Sequence, residues 1–537
     1  MRTVTAARTG GRLAASPSRW RWRCAALACG LLLFSVYWRL SWSVPADSDT
    51  AGIVLQAQDV LRGNLLLHGW WLADVTFYTT EIPQYALLEL AFGVGAAVVH
   101  IASAMTMVLI VVMVALLAAG PARAASGRQR CARALVAAVI AASPQSTGAW
   151  ILLSGPDHTG TVVPVLGVWL LIDRMAPRWW VPVAAGATLT WIMAADEVVL
   201  FSVIVPLTLT VMVRAASRSR TLRVYEFCLA LAAVAAAGLG TLFPRLIFWI
   251  GRYQAPHFPI QTMPLRALPS DAWNTTQGVL ELFGANVVER QPALEMTLTC
   301  LHLVGVLLAV LGFTIAIRRL LRSESVVVPA VAVAIVTELG TFLISAHSTD
   351  LTGFREIVAV MPLGAVLAGR TLGSPLLRLA DRTGRPGLRT ATATTAMVVL
   401  AGYVGGLAYD SARPAVPSAN QDLASWLAAQ HMTGGLAAYW EADSITLDTA
   451  GRVNVAPVTI SQQGIVVPDY EESNQADYDP ARTDATFLVA GGPTSLNGLS
   501  SAATRTFGQP EHVYLYDGYV ILTWRTNILR DLSTGAT

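Results

Sequence analysis

Apolar residues fall in long runs along this chain, separated by short segments in which arginine, aspartate, proline and glycine gather. A helix crosses the hydrocarbon core of a bilayer with about 20 apolar residues. Runs approaching that length occur at 24–42, 95–120, 135–153, 160–173, 179–195 and 198–213, and again at 226–250, 296–317, 326–345, 356–370 and 390–409. They predict about 11 transmembrane helices, the fourth and fifth being the shortest. Beyond residue 410 the texture changes. A helical stretch, Asp422–Gln430, precedes short β-like runs at Gly435–Trp440, Arg452–Val458 and Thr486–Ala490. A hairpin follows, His512–Tyr516 with Tyr519–Trp524, turning at Asp517-Gly518. The expected fold class is mainly α: a polytopic membrane protein (24–410) followed by a small C-terminal α/β domain (411–537). No repeat of a solenoid or propeller is visible.

Composition agrees. The 537 residues are 54% hydrophobic and only 13% charged, with a mean hydropathy of +0.53. Soluble domains carry about a quarter charged residues, so a soluble enzyme, a disordered chain and a nucleic-acid binder are excluded. All 37 basic residues are arginine, and the net charge of +3 implies no polyanionic partner.

Arginine placement orients the spans, because cytoplasmic loops are enriched in positive charge. The N-terminal segment 1–23 and alternate loops after it hold 24 arginines; the opposite face holds seven, Arg39, Arg62, Arg245, Arg252, Arg266, Arg290 and Arg355. The expected topology has a cytoplasmic N-terminus, external loops at 43–92 and 251–295, and an extracytoplasmic tail in the plasma membrane of its cell. Val44 and Ala46 also fit a signal-peptide cleavage rule, but Arg39 and the length of the first run favour an uncleaved anchor. The five cysteines lie in or beside spans, and the tail, with six arginines against thirteen carboxylates, has none to bridge. Carboxylates concentrate on the external side, which is where acid–base chemistry is expected.

The loop at 43–92 carries the densest chemistry. Asp47 and Asp49 precede a short helix expected to lie at the interface, with Asp49 or Thr50 as its cap. Asp74, Tyr78 and Glu81 then interleave with aromatic residues, as where a polar site meets the headgroup layer, and a second interfacial helix spans Pro83–Phe92. Between the third and fourth spans, Gly155-Pro156-Asp157-His158 reads either as a turn capping the next helix or as a site segment. Arg355 lies beside Glu356, shortly after His347 and Asp350, where arginine is rare. Guanidinium suits phosphate, although a snorkelling residue or a surface pair is the plainer reading. Asp196 and Glu338 are acids at or near membrane depth, which usually mark a site or pathway. Glu338 is read as support for the cavity.

An Asp-bearing external loop with two interfacial helices, directly after the first span, resembles the GT-C superfamily of integral-membrane glycosyltransferases. The strings Asp59-Val-Leu-Arg-Gly-Asn, Asp74-Val-Thr-Phe-Tyr-Thr-Thr-Glu-Ile-Pro, Gly155-Pro-Asp-His-Thr-Gly and Tyr478-Asp-Pro look like those of an actinobacterial multi-span family. The resemblance implies a polyprenyl-phosphate sugar as donor and a cell-envelope glycan, lipid or protein as acceptor, with no nucleic acid involved. It also implies a loop aspartate as base. Asp49 matches that position better than Asp47; Arg355 would hold phosphate, and Asp74, Tyr78, Glu81, Asp157, His158 and Glu356 would bind substrate. Asp47-Ser-Asp49 is also a DxD pair able to hold a divalent cation, but such pairs arise often by chance, so no metal or cofactor is assigned. A transporter or flippase of lipid-linked sugars is the rival reading; it would need polar positions along several spans, and polarity here is concentrated in the loops. A non-catalytic scaffold that keeps the fold is a third.

Overall fold

Helices occupy all of the predicted span positions in the computed structural model, which describes residues 17–175, 177–217, 219–251, 253–255, 261–288, 291–349, 352–382, 386–492 and 495–533. Arg252, Arg290 and Asp350, together with residues 1–16 of the basic N-terminal segment, lie outside the described residues. After α1 (Pro17–Ser41) come α2 (Ser48–Leu61), the short β1 (Trp70–Trp71) and α3 (Glu81–Phe92). The helical body continues through α4 (Ala96–Ala119), α5 (Gly127–Ala141), α6 (Ser146–Leu153), α7 (Asp157–Arg174) and α8 (Trp180–Met193). It is completed by α9 (Val205–Arg214), α10 (Arg220–Trp249), α11 (Leu268–Leu282), α12 (Ala293–Arg318), α13 (Val327–Ile344), α14 (Val360–Arg382) and α15 (Pro386–Ser411).

Seven helical segments among the described residues are long and apolar enough to cross a membrane: within α1, α4, Leu200–Ser217, α10, α12, α13 and Gly353–Leu379. Three of the other four predicted spans depart for local reasons. The run 135–153 breaks between α5 and α6 at Ser143-Pro144-Gln145, since proline cannot donate to a continuing helix. α7 contains Pro164 and opens with Asp157-His158, and α8 has only 14 residues. α14 is central, packed against α4, α5, α12 and α13. Ala118, Ala137, Ala365 and Ala368 are fully buried there, and small side chains let helices approach closely without a hydrophobic driving force between them.

The predicted interfacial helix is not a surface helix. Ser48, Thr50, Ala51, Gly52, Ile53, Val54, Gln56 and Ala57 of α2 are buried, on more than one face, because α3 and the tail cover it. α3 keeps Leu87, Leu90 and Phe92 exposed, an apolar outer side of the kind expected at an interface.

The tail folds as α16 (Gln421–Ala429), β2 (Gly434–Ala437), α17 (Tyr439–Asp448), β3 (Asn454–Ile460), β4 (Val466–Pro468), β5 (Ser473–Asn474), β6 (Phe487–Ala490), α18 (Leu499–Phe507), β7 (His512–Tyr516) and β8 (Tyr519–Thr523). Six strands form one sheet in the order β4-β3-β2-β6-β8-β7, with β2 parallel to β3 and β6 and the other pairs antiparallel. The hairpin turns at Asp517 and Gly518, both at positive φ (45° and 83°), as a tight two-residue turn demands. The run Gly435–Trp440 is strand only as far as Ala437; Tyr439 and Trp440 begin α17 instead.

Two element pairings help to join the tail to the helical body. β5 pairs antiparallel with β1, Trp70 opposite Asn474 and Trp71 opposite Ser473. α17 packs on α2, where Gly52 is needed for close approach: a Cβ there would stand 2.9 Å from Glu472 Oε2 and 3.0 Å from Asp443 Oδ2. Gly52→Val therefore destabilises the docked tail by about 1–3 kcal/mol, the usual cost of overpacking. Hydrogen exchange on purified protein is expected to show faster exchange in α2 and α17 with the α4–α14 region unchanged.

Candidate active site between α2, α7 and the tail

The N-terminus of α2 decides which acid is free. Asp47, in an extended conformation, caps the helix: its Oδ1 accepts from the Thr50 backbone N–H at 3.1 Å and from the Thr50 hydroxyl at 2.9 Å. The cap is thus neither Asp49 nor Thr50, and Asp49 keeps both oxygens for groups distant in sequence.

Arg355 gathers them. It projects from the 3₁₀ turn Thr352–Ile357 ahead of α14 and places Nη2 3.1 Å from Asp47 Oδ2, with Nη1 3.1 Å from Asp49 Oδ2 and 3.3 Å from Asp157 Oδ2. Its guanidinium lies 4.9 Å from the Trp150 ring centroid, and the side chain is only 13% exposed. A cation so placed survives burial because several carboxylates and an aromatic face surround it. Asp157 holds its backbone at φ 32°, in the left-handed region, which an L-residue adopts at a cost.

Beside Arg355 lies a second charged group. His158 Nδ1 is 2.9 Å from Asp196 Oδ2, and Nε2 is 3.4 Å from Glu356 Oε1 and 4.0 Å from Asp157 Oδ1. Burial opposes a charge on this imidazole, but the Asp196, Glu356 and Asp157 carboxylates facing its two ring nitrogens outweigh burial and raise the His158 pKa well above its ordinary value. Burial alone would raise the Asp196 carboxyl; the His158 charge outweighs it and holds Asp196 below the usual range.

Asp49 Oδ1 accepts a 2.7 Å hydrogen bond from the Tyr439 hydroxyl at the start of α17. Burial, followed by the adjacent Asp47 charge, pushes the Asp49 carboxyl up to about 7, against the downward pull of Tyr439 and Arg355. Asp49 opens onto a cavity of about 530 Å³ between the helical body and the tail, also lined by Asp157, His158, Arg355, Glu356 and Tyr439. A second cavity of about 180 Å³ adds Asp74, Phe77 and Glu472. A third, apolar groove of about 770 Å³ runs along Trp191, Leu242, Phe243, Leu246 and Trp249, with Arg245 its charged lining residue among those described. Thr79 lines this groove and Phe77 the small cavity, so one short segment separates the two.

No family model matches the chain, and neither does any curated protein. Solved structures do. ArnT from Cupriavidus metallidurans in the apo state aligns over 96% of this chain and 100% of its own at 14% identity, TM-score 0.56. The same protein bound to undecaprenyl phosphate aligns over 96% and 99% at 15% identity, TM-score 0.52. The Archaeoglobus fulgidus oligosaccharyltransferase tethered to an acceptor peptide gives 12% identity over 94% and 74%, TM-score 0.48. The chain has the GT-C fold. At these identities the likeness is one of architecture.

Within the GT-C fold, the structure brings Asp47, Asp49, Asp157, His158, Arg355 and Glu356 into one cluster. Asp74 is exposed and borders the smaller cavity, not the larger one, its Oδ1 accepting from the Val75 N–H. Tyr78 turns away: its hydroxyl donates to the Leu65 carbonyl and its ring meets Tyr253. Glu81 is buried beneath, against Gly160, and burial raises its carboxyl well above the usual range. Among the described residues no group of three or more His, Cys, Asp or Glu is arranged to hold a metal ion, and the facing oxygens of Asp47 and Asp49 are bridged by Arg355. Tyr439 and Glu472 are site residues that the sequence did not single out; a tyrosine opening a helix and one of thirteen tail acids carry no local signal.

A carboxyl raised to about 7 binds its proton more tightly in the folded chain than in the unfolded one. Its contribution to stability is present at acid pH and lost as the pH rises to about 7. Asp49→Asn is accordingly expected to raise the melting temperature relative to wild type at pH 8 and to change it little at pH 4, measured by thermal unfolding in detergent.

Proposed function

We propose that this chain is a plasma-membrane glycosyltransferase that moves a sugar from a polyprenyl-phosphate donor to an extracytoplasmic cell-envelope glycan, lipid or protein. The observation that carries the reading is Asp49: a carboxyl pushed up to about 7, on the rim of a cavity large enough for a sugar, in a chain with the GT-C fold. In this reading the N-terminus is cytoplasmic, as the arginine distribution favours, and the tail is extracytoplasmic.

The acceptor hydroxyl attacks the anomeric carbon while Asp49 takes its proton. The bond from that carbon to the phosphate oxygen breaks, and the polyprenyl phosphate leaves with the electron pair. A base whose pKa lies near the working pH is the efficient choice. Asp47 is the less suited acid, since one of its oxygens is committed to the α2 cap and, unlike Asp49, it does not line the cavity. Developing charge on the departing phosphate needs cationic neighbours, and Arg355 and His158 both line the cavity. The bound undecaprenyl phosphate of the ArnT structure supports a lipid phosphate as the donor's carrier. The apolar groove with Arg245 suits the polyprenyl chain, its phosphate held towards the Phe77–Thr79 segment.

In a deletion strain, mass spectrometry is expected to show a missing envelope sugar and accumulated polyprenyl-phosphate sugar, both restored by the wild-type chain. Asp49→Asn, inserted at wild-type level, lowers transfer by about 10²–10⁴-fold, the usual worth of a general base. Full restoration by both Asp49→Asn and Asp47→Asn would refute the proposal.

A further inference from the structure

We infer that Tyr439 and Glu472 of the tail are positioning residues for Asp49: the phenol is donated to the Asp49 carboxylate because Glu472 is held protonated behind it. This rests on Asp49 being the base.

The argument begins with counting protons. The Tyr439 hydroxyl lies 2.7 Å from Asp49 Oδ1 and 2.6 Å from Glu472 Oε2. A phenol has one proton to donate and can accept through its oxygen. Two ionised carboxylates at these distances cannot both be satisfied by it, so one of the acids carries a proton and donates to the phenol oxygen.

The surroundings decide which. Asp49 is 34% exposed, on the cavity rim, and faces the Arg355 cation as well as Asp47 and Asp157. Glu472 is 2% exposed and faces Asp49, Asp443 and Glu471, with no cation among them. Asp443 is itself buried, and its Oδ2 has no hydrogen-bond partner among the described residues. An unpaired buried carboxylate among like charges is the costliest of the available states. Glu472 is therefore the acid that keeps its proton, and burial with these neighbours raises its carboxyl well above the usual range. The direction of the chain is fixed: Glu472 to the Tyr439 oxygen, Tyr439 to Asp49.

Backbone geometry agrees. Glu472 sits at φ 46°, a left-handed conformation that a buried glutamate adopts only when its surroundings require it. It lies next to β5, whose pairing with β1 ties this segment to the α2–α3 loop, and Gly52 leaves room on α2 for its carboxyl. Docking of the tail thus orients one oxygen of Asp49 and lowers its proton affinity, leaving the other oxygen with Arg355.

Infrared difference spectroscopy of the full chain in lipid nanodiscs reads this without any sugar substrate, so it can fail while the transfer reading stands, and the reverse. At pH 7, wild type minus Glu472→Gln is expected to show a protonated-carboxyl band that shifts in D₂O; Tyr439→Phe is expected to shift that band, not remove it. The Asp49 titration, identified by its absence in Asp49→Asn, is expected to move up by about 1 pH unit in Tyr439→Phe, since a hydrogen bond to the charged form is lost. An ionised-carboxylate signal for Glu472, disappearance of its band in Tyr439→Phe, or an unmoved Asp49 midpoint overturns the inference. Phenylalanine keeps the ring that meets Trp440 edge-on at 5.2 Å, and glutamine keeps the shape of Glu472.

Discussion

One guanidinium organises the candidate site. Arg355 is nearly buried, stacked on Trp150, and bonded to carboxylates from two stretches of chain: Asp47 and Asp49 at the start of α2, and Asp157 at the start of α7. Without it, three acids would face one another in a poorly solvated pocket, and like charges at that range protonate or move apart. Arginine suits this place better than lysine, because its planar fork reaches separate oxygens while its flat face stacks on an indole. Arg355 also precedes α14, the central helix of the body, so the site is referenced to the part of the fold with least freedom to shift.

The tail completes what Arg355 begins. Asp49 is held from the membrane side by Arg355 and from the tail side by Tyr439, and the larger cavity lies between these two supports. Among the described residues of this cluster, Arg355 and His158 face Asp47, Asp49, Asp157, Asp196 and Glu356, so acids outnumber the cations they pair with. Burial, reinforced by the Asp47 and Asp157 charges, pushes the Asp49 carboxyl up to about 7 and suits it to act as a base in the proposed reaction. A GT-C architecture with an apolar groove beside the site provides a coherent setting for a lipid-carried donor.

Much of this was legible in the chain. Apolar runs located the helices because burial in a bilayer demands long uninterrupted stretches, and the Asp-Gly turn located the tail hairpin because its backbone needs positive φ. Asp47, Asp49, Asp157, His158, Arg355 and Glu356 stood out as charges beside apolar runs. What escaped notice depends on contacts between residues far apart. Tyr439 meets Asp49 across 390 positions, and no spacing rule reports such a pair. The cap of α2 is Asp47 and not the expected Asp49 or Thr50, because all three are competent caps and only Arg355 and Tyr439 determine which acid is left free. Tyr78 and Glu81 looked like site residues for their chemistry, but the turn before α3 directs one to a backbone carbonyl and buries the other.

The most direct measurement is an electron-microscopy structure of the full chain in nanodiscs containing undecaprenyl phosphate. The account predicts the phosphate in the cavity bordered by Asp49, His158 and Arg355, with the polyprenyl chain entering from the groove lined by Trp191 and Leu242. A lipid phosphate bound away from that cavity, or a cavity closed to the groove with Asp49 out of reach, would contradict it.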